Sequence, residues 1–145
     1  MLKGIDPLLG PELLAVLRGM GHGDEIVVAD ANFPAASLNN RVIRADGIAA
    51  PRLVAAIVSV LPLDDFVPAA AFRMAVVDRP DDVPAITADF AAALASGGYM
   101  GGIEALERFA FYARAKSATV VVASGETRLY GNLILKKGVI RPATA

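Results

Sequence analysis

The sequence predicts a three-layer α/β/α sandwich, one domain over residues 1–145, built around a largely parallel central sheet. Three observations predict it. Compact Val- and Ile-rich runs such as Glu25–Ala29 and Thr119–Ala123 are too short for helices and lack polar alternation, as befits strands covered on both faces. Segments of helical spacing lie between these runs, several opened by proline and closed by glycine. The 145 residues suffice for one real core and are too few for two comfortable ones.

The elements follow in order. Pro11 to Gly19 reads as a short helix, with proline in its first turn, Leu13, Leu14, Val16 and Leu17 at helical spacing, and Gly19 and Gly21 near its exit. Glu25 to Ala29 is a strand carrying Ile26, Val27 and Val28, and Val42 to Ala45 is a second strand closed by an Asp46-Gly47 turn. Pro51 to Leu61 is an apolar helix, and Ala70 to Val77 a strand. Asp78 to Pro84 is a polar, proline-punctuated surface loop leading into an alanine-rich helix, Pro84 to Ala95, that ends at Gly97-Gly98. Ala105 to Lys116 has helical composition. Thr119 to Ala123 is a β-branched strand entering a Ser124-Gly125-Glu126 turn, and Leu129 to Lys136 is the last strand. In such a sheet the loops at the C-terminal ends of the strands form the natural ligand site.

Composition narrows the function. A net charge of −1 and a longest basic cluster of Lys136-Lys137 offer no field for phosphate backbones, so nucleic acid is not an expected partner. The absence of cysteine excludes disulfides and thiolate metal sites, and a single histidine leaves no His cluster for a metal. The first residues carry an early acid and a proline where a signal peptide needs an apolar core, which points to the cytoplasm. The richest apolar stretch, Leu53 to Leu61, is half the roughly 20 residues of a membrane span. Even so, 55% of the chain is hydrophobic and its mean hydropathy is +0.52, a surplus that implies burial against other copies in a homo-oligomer.

The only histidine, His22, stands between Gly21 and Gly23 where a helix pattern gives way to a strand pattern. Imidazole exchanges protons near neutrality without special burial, and the glycines admit positive φ and close approach of a ligand. A capped helix end explains the same residues, with Gly21 as terminator and His22 at the negative pole of the dipole. Asp30 ends the first strand, where its carboxylate can accept from ligand hydroxyls or cap a turn. Arg108, with five donors, begins Arg108-Phe109-Ala110-Phe111-Tyr112, whose aromatics read as core at helical spacing. Tyr130-Gly131-Asn132 combines a phenol, a residue permitting close backbone approach and an amide that both donates and accepts. The triplet suits a sugar and equally suits a turn entering a strand.

Taken in order, Met20-Gly21-His22-Gly23-Asp24-Glu25-Ile26-Val27, Ala29-Asp30-Ala31-Asn32-Phe33-Pro34, the segment Arg108 to Ala115 and the segment Tyr130 to Gly138 resemble the L-fucose mutarotase and D-ribose pyranase family. The likeness covers nearly the whole chain and is weakest from about Pro68 to Gly102. It implies a cofactor-independent isomerase of free monosaccharides, without a metal, with sites near subunit contacts in cyclic assemblies, rings of ten among them. By position, His22 resembles the family's catalytic acid/base, Asp30 and Arg108 its sugar contacts, and Tyr130, Gly131 and Asn132 the segment closing over the substrate. Ribose pyranases usually carry histidine where this chain has Arg108, and their motif differs after the catalytic histidine, so both departures favour the fucose branch.

The implied reaction interconverts the α and β anomers of L-fucose by ring opening and closure, and extends to the pyranose and furanose forms of ribose. One group takes the proton of the anomeric hydroxyl while another protonates the ring oxygen. His22 would move one proton, with Tyr130 or a water moving the second. The competing readings are a ribose pyranase and a non-catalytic sugar-binding or regulatory oligomer.

Overall fold

Side chains that alternate in direction along continuously buried strands sort the chain into layers. The computed structural model describes residues 1–143. Its elements are α1 (Pro11–Gly19), β1 (Glu25–Ala29), α2 (Ala35–Leu38), β2 (Val42–Ala45), α3 (Ala50–Val58), β3 (Ala71–Met74), α4 (Ile86–Ser96), β4 (Ile103–Leu106), α5 (Arg108–Ser117), β5 (Val120–Ser124) and β6 (Leu133–Lys136). Ile26 and Val28 of β1, Val120 and Val122 of β5, and Leu133 and Leu135 of β6 face α1, α3 and α4. Their neighbours Val27, Ala29, Val121, Ala123 and Ile134 face the other way, toward α2 and α5. Successive side chains of a strand point to opposite faces, so apolar runs without polar alternation become the filling of a sandwich.

The sheet has six strands in the order β2-β5-β1-β6-β3-β4. β1, β2 and β5 run parallel, as do β3 and β4, while β6 is antiparallel to both β1 and β3. Five strands therefore point one way, and β6 is wedged among them in the opposite sense. One edge of the sheet gathers the loops leaving β1, β3, β4 and β5 together with the loop entering β6. The opposite edge gathers the turn entering β1 and the segment leaving β6.

α1, β1 and β2 carry the bounds read from the sequence, and the α3 and α4 helices differ from expectation only at their ends. The structure corrects four readings. Ala105 to Lys116 is not one helix: β4 ends at Leu106 and α5 starts at Arg108. β4 is an edge strand with exposed Glu104 and Ala105, so its identity comes from pairing with β3 and not from an apolar run. At the break, the Glu107 carboxylate accepts from the Phe109 and Ala110 N–H groups (2.8 and 3.2 Å) and caps α5. β6 begins at Leu133, not at residue 129, because Tyr130 takes φ +60°, a value no strand contains.

Third, α1 is not closed by a left-handed Gly21: extended Met20 caps it through its N–H to the Val16 carbonyl, and the positive φ (+86°) belongs to Gly23. Fourth, Phe109 is 65% exposed, not core, whereas Phe111 and Ala115 are fully buried on one helical face. The four-residue α2, absent from the sequence reading, is too short to carry a periodicity. Among the described residues no helix is long and apolar enough to cross a membrane.

Candidate functional site

Asp30 leaves β1 buried, with a relative exposure of 7%. Its partner arrives from the far end of the chain. Asn132, the last residue before β6, accepts the Asp30 N–H at Oδ1 (2.8 Å) and donates from Nδ2 to Asp30 Oδ2 (2.9 Å). The Asn32 N–H closes a turn on Asp30 Oδ1 at 2.9 Å. Burial raises the Asp30 carboxyl above its ordinary value, and these hydrogen bonds, that of Asn32 foremost, oppose the shift. Asp30 caps a turn and also borders a cavity.

That cavity, about 200 Å³, lies between Asp30, Asn132, Tyr130, Tyr112, Met74 and the Asn32–Pro34 turn. Gly131 makes its wall possible, because a Cβ there would sit 2.7 Å from Glu126 Cγ and 3.3 Å from Asp30 Cβ. The loop is held open by Glu126, a buried carboxylate that accepts from the Arg128 Nε and Nη2 at 2.9 and 3.1 Å and from its N–H at 3.1 Å. Arg128 keeps this carboxylate below the usual range. Arg128 also reaches Asp89 of α4 at 2.6 Å. Tyr130, pinned at φ +60°, accepts the Val77 N–H at its Oη (3.1 Å) and retains its own hydrogen for a ligand.

Val77 belongs to the wall of a neighbouring cavity of about 480 Å³, formed by the Ala75–Asp78 loop, Pro80, Ala105, Glu107 and Arg108. Here the half-buried Arg108 lies 4.7 Å over the Phe109 ring, with no carboxylate partner among the described residues. The tyrosine's hydrogen bond to Val77 thus joins the arginine's cavity to the aspartate's. Five of the six sequence-predicted residues, Asp30, Arg108, Tyr130, Gly131 and Asn132, share one edge of the sheet.

His22 does not join them. It occupies a turn, Gly21 to Asp24, closed by the Asp24 carboxylate accepting the Gly21 N–H at 2.7 Å and tied to the end of β6 through Gly23 N–H to Lys137 O. The five residues of β1 therefore separate it from Asp30 by about 16 Å at ~3.3 Å per residue. Its imidazole is neither sealed nor bare: the side chain is 47% exposed, and Nε2 lies 3.1 Å from Asp64 Oδ1. Phe66 packs a tilted ring against it at 5.4 Å. A cleft of about 450 Å³ between residues 62–68 and 97–101 opens beside Asp64.

The sequence reading missed Asp64, Phe66, Glu126 and Arg128. Asp64 and Phe66 carry no motif or period, and only their tertiary placement against His22 marks them. Glu126 reads as part of a turn, and Arg128 carries no signal of its own. Among the described residues no cluster of three or more histidine and carboxylate groups is arranged to hold a metal.

A three-layer α/β domain whose sheet edge presents a carboxylate, an amide, a phenol and a guanidinium around small polar cavities defines a protein of the small polar-ligand class. The profile of the RbsD / FucU transport protein family matches residues 3–140. The chain is 49% identical over 148 residues to the fucose mutarotase of Bos taurus, covering 98% of this chain and 96% of that one. It is 50% identical over 140 residues to the L-fucose mutarotase of Haemophilus influenzae (strain 86-028NP), covering 96% and 97%. The crystal structure of the fucose mutarotase from Streptococcus pneumoniae in complex with L-fucose matches with a TM-score of 0.89 at 45% identity, over 97% of this chain and all of that one. The chain belongs to this family, in its fucose mutarotase branch.

Proposed function

We infer that this chain is an L-fucose mutarotase, an isomerase that interconverts the α and β anomers of the free sugar in the cytoplasm, and that its site is completed by a second copy. The family membership supports the activity, since relatives of nearly equal length and about half-identical sequence carry that name and one of the solved structures holds L-fucose. The observation that carries the second half is the split of the polar residues between two edges of the sheet. Asp30, Arg108, Tyr130 and Asn132 stand at one edge, and the imidazole of His22 stands at the other.

Exposed apolar side chains flank both halves, Phe66 and Ile140 near His22, and Leu129 and Phe109 at the other edge. Copies that set one edge against the other bury these groups and bring His22 of one protomer to Asp30 and Arg108 of the next. Such a head-to-tail contact closes into a ring when its rotation returns to the start. In the completed site His22 takes the proton of the anomeric hydroxyl, and Tyr130, with its hydrogen unspent on protein, protonates the ring oxygen. Asp30 and Asn132 hold hydroxyls, and Arg108 keeps the opened aldehyde within reach of reclosure.

Saturation-transfer NMR of L-fucose anomers tests the reading. His22→Ala and Asp30→Ala proteins are each expected to exchange the anomers at the buffer rate. Co-assembled one to one, they recover about a quarter of wild-type exchange, because random assortment makes about that share of shared sites intact. Full exchange by His22→Ala overturns the chemistry, and a mixture as silent as its components overturns the shared site. Light scattering gives the ring size.

A further inference from the structure

We propose that Glu126 is a positioning residue for the anomer exchange: its buried carboxylate, closed on Arg128, holds the left-handed turn that aims the Tyr130 phenol at the sugar. This deepens the reading above and rests on Tyr130 being the acid that protonates the ring oxygen. Tyr130 takes φ +60°, a conformation costly for any residue with a bulky side chain. The glycine beside it serves another need: Gly131 is not left-handed, and its missing side chain leaves room for the Glu126 arm. A tyrosine in that conformation persists only where its surroundings hold it there.

Those surroundings are polar. Leu129, its neighbour in the chain, is 71% exposed and adds little packing. On the far side Asn132 is bonded to Asp30. On the near side the anchor is Glu126. Its Oε1 accepts from the Arg128 N–H and Nε at 3.1 and 2.9 Å, and its Oε2 accepts from Nη2 at 3.1 Å. This closed ring fixes residues 126–128 and so sets the direction in which the chain enters Leu129 and Tyr130. Arg128 is steadied from outside by Asp89 of α4 at 2.6 Å.

Glu126 is itself tied to the end of β1. Its N–H donates to Ser124 Oγ (3.2 Å), which donates to the Ala29 carbonyl (2.6 Å), and its own carbonyl accepts the Ala31 N–H (2.8 Å). The residues on both sides of Asp30 thus belong to the frame that carries Tyr130. Arg128 first keeps the Glu126 carboxyl below its ordinary value, so both oxygens accept at neutral pH. The phenol accepts the Val77 N–H at Oη and turns its own hydrogen to the cavity it shares with Asp30 and Asn132. In ring opening the anomeric hydroxyl loses its proton to His22 of the facing protomer, C1=O1 forms and the C1–O5 bond breaks. Its electron pair goes to O5, which takes the phenol proton. If residue 130 relaxes to negative φ, the phenol leaves Val77 and that proton no longer faces O5.

Glu126→Gln keeps the length of the arm but turns an amide NH2 toward Arg128 Nη2, so that two donors meet. By saturation-transfer NMR on the intact oligomer, its kcat for L-fucose exchange is expected to fall about 10²-fold with KM within about threefold of wild type. The decisive comparison is made in Tyr130→Phe, which keeps the ring and loses the hydrogen. There Glu126→Gln is expected to lower kcat by less than about twofold, because no phenol proton is left to misplace. Equal factors in the two backgrounds mark a merely structural carboxylate and overturn the proposal, as does wild-type kcat in Glu126→Gln. Should Glu126→Gln fail to fold, Arg128→Gln repeats the comparison from a half-exposed side chain, with about a tenfold fall expected in the Tyr130 protein and less than about twofold in Tyr130→Phe. Equal factors with a slow Tyr130→Phe leave the acid assignment standing, whereas a Tyr130→Phe as fast as wild type overturns that assignment and the proposal with it.

Discussion

Replacing Gly131 with alanine introduces one methyl group at the most crowded point of the loop that carries Tyr130 and Asn132. The added Cβ meets Glu126 Cγ at 2.7 Å, the Arg128 carbonyl oxygen at 3.0 Å and Asp30 Cβ at 3.3 Å. Comfortable contact needs about 3.5–4.0 Å, so the Glu126 arm or the Arg128 carbonyl has to retreat by about 1 Å. Neither moves freely, because Arg128 grips the Glu126 carboxylate with its guanidinium and its N–H. Overpacking of this kind costs about 1–3 kcal/mol, which at ~2–4 °C per kcal/mol for a chain of this size lowers Tm by roughly 2–12 °C. The same strain pushes on Asp30, and displacement of a positioned group by about 1 Å can remove 10²-fold of rate, so exchange of L-fucose anomers is expected to fall by at least about tenfold.

Scanning calorimetry and saturation-transfer NMR on one preparation read both effects. Gly19→Ala is the control, since a Cβ there meets nothing within 4 Å. If Gly131→Ala melts and turns over like wild type, the loop has slack that the contact distances deny, and the account of how Asn132 is held against Asp30 fails.

Phe111 is fully buried between α5 and the sheet, so Phe111→Ala is expected to destabilise by about 3–5 kcal/mol in urea unfolding, far more than Phe109→Ala on the exposed face of the same helix. Glu107→Ala removes the cap of α5, with an expected loss of about 1 kcal/mol and faster amide exchange at Phe109 and Ala110 before the rest of the helix. The raised carboxyl of Asp30 has a pH signature: the folded chain keeps this proton after the unfolded chain has released it, so its contribution to stability falls as pH rises from the ordinary carboxylate value to the folded one. Unfolding free energy of Asp30→Asn minus that of wild type is therefore expected to increase with pH across that window, and a flat or falling difference contradicts the burial argument.

Local pattern was enough for much of the architecture. The β1 residues Ile26, Val27 and Val28 are apolar without alternation because both faces of their strand are covered, and α1 shows its buried stripe at Leu13, Val16 and Leu17. β4 escaped because an exposed edge strand has no apolar run to announce it; pairing with Phe72 and Met74 makes it a strand. At the site, residue chemistry left Asp30, Arg108, Tyr130, Gly131 and Asn132 open between structural and ligand roles, the family resemblance marked them as candidate sugar contacts, and the fold collects them on one edge. It could not reveal Asp64 or Glu126, whose importance lies in what they touch across space.

By itself, then, the sequence determined the layered class of the fold, because periodicity is a local property, and its motifs carried the resemblance to the family. Tertiary structure alone decided where the polar groups stand. Wedging β6 antiparallel between β1 and β3 brings Asn132 onto Asp30 across 102 residues of chain and places Asp64 against His22 at the opposite edge. A strand has two ends, and that one geometric fact divides the imidazole from the candidate sugar contacts.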